Sequence, residues 1–91
     1  MELTEVRVKK LNTNNRLKGI ASVTFDDSFV VRGIKIVESQ KGLFVAMPSE
    51  KDLNGVFRDI VHPVNIEFRE RIQSAILEKF NKIEEEEEDG E

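Results

Sequence analysis

The first half of the chain alternates apolar and polar side chains, which is the period-2 pattern of half-buried β-strands. Residues 3–11 and 17–25 both show it, and an Asn-rich turn separates them. Residues 29–38 form the longest β-branched run, so we expect a central strand there, with Gly33 as a bulge or bend. The connections are short, which predicts antiparallel pairing in a meander.

A polar turn, Asp26-Asp27-Ser28, separates the second and third predicted strands. Both aspartates are expected to accept hydrogen bonds from nearby backbone donors. An adjacent pair of acids is also compatible with a metal site or an acid/base pair. No matching cluster of ligands accompanies it, so the structural interpretation is favoured.

Residues 42–65 hold both prolines and the single histidine. Apolar runs at 43–47 and 56–61 predict two more strands, separated by a polar loop at 48–55 that ends in the tight-turn pair Asn54-Gly55. Pro63 removes a backbone donor and favours extended geometry at His62, so the second of these strands should end there. Asn65 is then expected to cap the next helix.

From residue 65 onward the apolar period becomes that of a helix. One stripe is formed by Phe68, Ile72, Ala75, Ile76, Phe80 and Ile83. This spacing predicts a single helix of about 18 residues. The predicted fold is therefore α+β: an antiparallel meander of four to five strands with one C-terminal helix packed on it.

The net charge of −4 conceals a strong asymmetry. Residues 84–91 contain seven acids and no base, which is typical of a disordered tail. Residues 1–83 are predicted to form one domain, and their 14 bases against 11 acids leave it at +3. The tail either keeps a small protein soluble or competes with nucleic acid for the basic domain.

Composition argues against several classes of chemistry. Without cysteine the chain has neither a disulfide framework nor a thiolate nucleophile. Its first twenty residues hold seven charged side chains and no signal or membrane segment, so a cytoplasmic location is expected. His62, Ser49 and Asp59 would suggest a catalytic triad, but no nucleophile elbow accompanies them. We predict that His62 and Pro63 instead fix the corner before the helix.

No metal-ligand spacing or phosphate-binding glycine loop is present, so neither a metal, a cofactor nor an enzyme is expected.

Several segments resemble the signature of the stage V sporulation protein G (SpoVG) family. They are Leu43-Phe44-Val45-Ala46-Met47-Pro48-Ser49, Asn54-Gly55-x-Phe57-Arg58-Asp59-Ile60 and His62-Pro63-x-Asn65, together with Thr4-Glu5-Val6-Arg7 and the run at 21–26. The resemblance covers about residues 1–80. It implies a small bacterial regulator of septation and sporulation, with members that bind DNA and RNA and that form dimers.

The resemblance also points to the loop and the start of the helix as the binding surface. We predict that nucleic acid binds a basic surface made of Lys51, Arg58, Arg69 and Arg71. Where the family usually has Ser-Lys-Arg-Thr-Pro, this chain has Ser-Glu-Lys-Asp-Leu at 49–53, so Glu50 reverses one of two adjacent positive charges. Arg58 could also form an internal ion pair with Asp59.

The alternative function is a protein-interaction module in control of the division septum that does not bind nucleic acid. Glu50 and the acidic tail favour this alternative. A small core and exposed sheet edges predict a homodimer that forms through the sheet.

Overall fold

The computed structural model describes residues 1–85 and shows the predicted α+β fold. Its main sheet follows the chain order of four strands: β1 (Leu3–Lys10), β2 (Leu17–Phe25), β3 (Phe29–Ser39) and β4 (Gly42–Ala46). Each strand pairs with the next in antiparallel orientation, which confirms the meander. The third strand is interior, as its β-branched composition predicts, and β2 is interior as well.

Gly33 lies in a β-bulge, as expected. Its φ of +78° falls in the left-handed region that favours glycine. Around it the register between β2 and β3 shifts between two pairs, Ala21 with Ile34 and Val23 with Val31. Two residues of β3 therefore face one residue of β2, and the longest strand bends at that point.

The turn between β2 and β3 has a positive φ at both aspartates, 53° at Asp26 and 51° at Asp27. Both residues lie in the left-handed region, which aspartate tolerates better than most side chains. The Asp26 carboxylate accepts a hydrogen bond from the backbone N–H of Glu2 at 2.9 Å, so its donor is distant in sequence. For Asp27 it is the backbone N–H that bonds, to Thr4 Oγ1 at 2.9 Å.

Residues 49–60 form a hairpin, which the sequence predicted only in part. Its strands are β5 (Ser49–Lys51) and β6 (Phe57–Asp59), and together they make a separate two-stranded antiparallel sheet. The loop predicted at 48–55 therefore contains a strand, and the strand predicted at 56–61 is only three residues long. Every residue from Leu53 to Ile60 is exposed, so the hairpin stands away from the core.

The helix α1 (Ile66–Glu85) covers one face of the four-stranded sheet. Its buried residues Ile72, Ile76 and Phe80 pack against the inward side chains of the sheet, which include Val23, Phe25, Ile34 and Ile36. At 20 residues it is slightly longer than predicted, and it includes the first two residues of the predicted acidic tail. The remainder of that tail, residues 86–91, lies outside the described residues.

The other face of the four-stranded sheet carries no covering element within residues 1–85, and we call it the open face. In the same part of the chain, no helix combines the length and the hydropathy needed to cross a bilayer.

Candidate nucleic-acid interface

The hairpin is shaped by Asp52 and Gly55. The Asp52 Oδ1 atom accepts hydrogen bonds from the backbone N–H groups of Asn54, at 2.8 Å, and Val56, at 3.0 Å. The Gly55 N–H donates to the Asp52 carbonyl at 3.0 Å, and Gly55 has a φ of +83°. Only a residue without a Cβ adopts this conformation easily, so the turn signal in the sequence has its physical reason at Gly55.

Lys51 and Arg58 point to opposite sides of the hairpin. Cross-strand partners share a face, and the partner of Lys51 is Phe57, whereas the partner of Arg58 is Glu50. The Lys51 Nζ atom lies 5.4 Å from the centroid of the Phe57 ring, within cation–π range. The two predicted binding residues of the hairpin therefore do not form one surface in the monomer.

Arg58 forms an ion pair with Asp52, so the predicted pairing with Asp59 is wrong. The Arg58 Nε atom lies 2.9 Å from Asp52 Oδ2. Successive side chains of a strand point to opposite faces, so Arg58 and Asp59 diverge. The Arg58 guanidinium, together with the backbone N–H of Val56, holds the pKa of the Asp52 carboxyl below its ordinary value of 3.8.

Glu50 lies on the same face of the hairpin as Arg58 and Asp52, because it is the cross-strand partner of the arginine. The charge reversal that distinguishes this chain from the family signature therefore places a second acid beside Arg58. One arginine with two carboxylates gives this face a net negative charge, which weakens its attraction for phosphate.

The remaining two candidates lie near the N-terminus of α1. Asn65 caps this helix, with its Oδ1 accepting a hydrogen bond from the Phe68 N–H at 2.7 Å. The guanidinium carbon of Arg71 lies 5.3 Å from the centroid of the Phe68 ring. Arg69 and Arg71 are two positions apart, so they project about 200° from each other around the helix. Both are exposed, but they do not face the same direction.

The corner between hairpin and helix contains His62 and Pro63. The His62 Nδ1 atom lies 3.0 Å from the Pro63 carbonyl oxygen. Ser49 and Asp59 are cross-strand partners in the hairpin, but the hydrogen bond of the His62 ring goes to the backbone of its own corner. Within residues 1–85, no cluster of three or more His, Cys, Asp or Glu side chains could hold a metal ion.

Next to this corner is an apolar cleft of about 590 Å³. It lies between the start of α1, one end of the sheet and residues 61–65, with Phe25, Phe29, Met47 and Phe68 among its lining. The neighbouring hairpin exposes Leu53 completely and Phe57 by 66%. The sequence did not reveal this apolar end, because the apolar run at 56–61 was predicted as a further strand of the sheet.

Two other basic residues, Lys9 and Lys35, lie in one row of the open face. Strand register places four residues in one row across the sheet: Lys9, Ile20, Lys35 and Ala46. The two lysines thus lie on either side of Ile20. The sequence showed basic residues on each strand, but only the register brings these two together.

Charge separates the two halves of the domain. Residues 1–48 contain eight basic and five acidic side chains, a net charge of +3. Residues 49–83 contain six of each and are neutral. The positive excess of the domain therefore belongs entirely to the part that forms the four-stranded sheet, and not to the hairpin and helix.

Comparison with known proteins agrees with the sequence signature. The SpoVG family model matches residues 1–82. A protein of Acetivibrio thermocellus is 54% identical over 83 residues, which are 91% of this chain and 88% of the relative. One of Clostridium beijerinckii is 55% identical over 82 residues, 90% of each chain. Both carry the name septation protein SpoVG, given provisionally. A match of this extent establishes that the chain belongs to the SpoVG family.

Proposed function

We propose that this chain is a cytoplasmic, non-enzymatic regulatory protein of septation and sporulation that binds DNA, and also RNA, through a basic surface. Family membership supports the link to septation, since the names of the relatives refer to that process. Those names refer to no reaction. The observation that supports nucleic-acid binding is the net charge of +3 on residues 1–83, although the whole chain has a net charge of −4.

Binding of this kind works through phosphate contacts. Lysine and arginine side chains displace the counterions that surround a nucleic acid, and the released ions drive association. The candidates are the basic residues Lys51, Arg58, Arg69 and Arg71, which lie in the hairpin and the helix start to which the family resemblance also points. Three of them already have a partner in the structure: Arg58 pairs with Asp52, Lys51 lies over the Phe57 ring and Arg71 lies over the Phe68 ring.

The test is neutralisation of these four residues to glutamine. If they form the binding surface, the variant should bind duplex DNA much more weakly than the wild type does when both are measured at low salt. A matched control neutralises four exposed basic residues elsewhere, Arg16, Lys41, Lys79 and Lys82, and so changes the net charge equally. Equal binding by the two variants would reject the four-residue assignment, and an absence of binding by the wild type would reject the function.

A homodimer is also part of the proposal. The hairpin, the cleft beside it and the first residue of α1 expose Leu53, Phe57, Ile60, Val64 and Ile66, all by 61% or more. Monomeric proteins rarely expose a contiguous apolar patch larger than a few hundred Å². If the hairpin of one copy covered the cleft of another, both would lose this surface. Pairing through the open face would instead bring lysines of the two copies together, which is unfavourable.

Sedimentation of the wild type at micromolar concentration tests the dimer, since one chain has a mass of 10.5 kDa. Replacing Leu53 and Phe57 with serine should give a monomer, whereas Val30→Ser, at an exposed position of the sheet, should not. A dimer that survives the hairpin changes would favour pairing through sheet edges.

The second candidate function is a protein-interaction module in septum control that does not touch nucleic acid. The apolar end formed by the hairpin and the cleft favours it, because such surfaces are typical of protein interfaces. The two functions differ in salt dependence. Phosphate contacts weaken steeply as salt rises, whereas a largely apolar interface does not.

A further inference from the structure

The open face has the side chains of a binding surface rather than of a buried layer. Its outward residues on the four strands include Arg7, Lys9, Ile20, Ser22, Thr24, Val30, Lys35, Val37, Phe44 and Ala46, with Glu5 as an acid among them. Lys9 and Lys35 are exposed, and Phe44 is 41% exposed. The helix covers only the opposite face, so within residues 1–85 these side chains have solvent above them.

The charge of this face suits a polyanion. Arg7 is paired with Glu5, since the Arg7 Nε atom lies 2.7 Å from Glu5 Oε2. Lys9 and Lys35 remain as two cations on one row, separated by the strand that carries Ile20. Neighbouring strands lie about 4.8 Å apart, so the backbone positions of the two lysines are about 10 Å apart. Their long side chains can reach successive positions of one bound strand.

The shape of the face distinguishes single strands from duplexes. Four strands span about 14 Å between the outer two, which exceeds the major groove of B-DNA at about 12 Å. The face also presents short side chains, such as Ser22 and Ala46, that cannot reach into a groove. Phe44 and Ile20 offer apolar surface that only unpaired bases can contact, and aromatic rings on a sheet are a common platform for such bases.

We propose that the open face is a site for single-stranded nucleic acid, with Lys9 and Lys35 contacting phosphates and Phe44 contacting a base. The inference rests on the proposed nucleic-acid binding and assigns it to residues outside the hairpin and helix. Each phosphate contact on a single strand contributes about 0.7 to the slope of log affinity against log salt, so loss of both lysines should reduce that slope by about 1.4.

The experiment measures binding of a single-stranded RNA, a single-stranded DNA of the same sequence and the matching duplex by fluorescence anisotropy. It compares the full chain with two open-face variants, Lys9→Gln/Lys35→Gln and Phe44→Ser. The control is Lys79→Gln/Lys82→Gln, which removes two exposed lysines of the helix and so changes the net charge by the same amount as the double lysine variant of the open face. We expect the two open-face variants to bind the single strands at least fivefold more weakly, the control to match the wild type, and the duplex to bind most weakly.

Different outcomes separate this inference from the proposed function. If the wild type binds none of the three ligands, nucleic-acid binding itself is rejected and the inference falls with it. If neutralising Lys51, Arg58, Arg69 and Arg71 abolishes binding while the open-face variants bind normally, the function stands and the inference is overturned. Amide NMR shifts during a titration give a second readout that needs no variant: they should change at Lys9, Ile20, Lys35 and Phe44, and changes confined to the hairpin and helix would contradict the open-face site.

Discussion

The Nε atom of Arg58 donates a hydrogen bond to Oδ2 of Asp52 at 2.9 Å across the hairpin loop. Through its other oxygen, the same carboxylate accepts hydrogen bonds from the backbone of Asn54 and Val56. One aspartate therefore shapes the loop and also holds a cation that we propose contacts nucleic acid. Any phosphate that binds Arg58 must compete with Asp52.

Replacing Arg58 with glutamine is expected to raise the pKa of Asp52 toward 3.8, because the guanidinium is the main cause of its lowering. Since the folded-state pKa is depressed, the carboxylate stabilises the hairpin above pH 3.8, and this contribution is lost as the pH falls through the lowered pKa. An NMR titration of the side-chain carboxyl carbon measures the change. Arg69→Gln is the control, and an identical Asp52 titration in both variants would show that Arg58 does not perturb Asp52.

Loss of the Asn65 cap should destabilise the helix and with it the whole domain. Asn65→Ala removes the acceptor for the Phe68 N–H, and we expect the free energy of unfolding to fall by about 1 kcal/mol. Urea denaturation followed by circular dichroism measures this loss. Asn65→Asp keeps an acceptor and should stay close to the wild type. An alanine variant as stable as the aspartate variant would mean that the cap contributes nothing.

Gly19 on β2 lies at a close approach of β1, β3 and α1. A Cβ atom there would lie 3.2 Å from both Ile36 Cδ1 and the Lys9 carbonyl oxygen, and 3.3 Å from Phe80 Cε1. The Lys9 carbonyl belongs to a strand that is paired with β2, so it cannot move far from an added Cβ atom. Gly19→Ala should therefore destabilise the domain by about 1–3 kcal/mol. The melting temperature of Gly19→Ala measures this loss, and Ser22→Ala, on the open face of the same strand, is the control. Equal melting temperatures would show that the packing relaxes freely.

Removing the acidic tail should strengthen nucleic-acid binding if the tail competes for the basic domain. Truncation after Glu85 preserves the whole described helix and removes five acids, which changes the net charge from −4 to +1. Affinity at about 50 mM salt should rise, and the gain should shrink at about 200 mM because salt screens the repulsion. A full-length variant with those acids changed to glutamine or asparagine controls for chain length. Unchanged affinity in both would favour a role in solubility alone.

Periodicity in the sequence predicts most of this fold for a clear reason. The four strands of the main sheet and the helix each bury one apolar face in the same core, so their patterns are strong. The hairpin buries nothing in that core. Ser49-Glu50-Lys51 accordingly has no alternation that would mark a strand, and only its pairing with residues 57–59 defines one.

The candidate site was less predictable because it depends on which side chains share a face. The pairing of Arg58 with Asp59 could have been rejected from strand geometry alone, since neighbours on a strand diverge. The true partner, Asp52, lies across a loop whose register the sequence did not reveal. Similarly, Lys9 and Lys35 are 26 positions apart, and only the register through Ile20 shows that they share one row of the sheet.

The most direct test of nucleic-acid binding measures the affinity of the full-length wild-type protein for single-stranded RNA and for duplex DNA between about 50 and 200 mM salt. We expect log affinity to fall linearly with log salt, with the single strand bound more tightly. No binding at the lowest salt, or affinity that does not change with salt, would contradict this account and would favour the protein-interaction module.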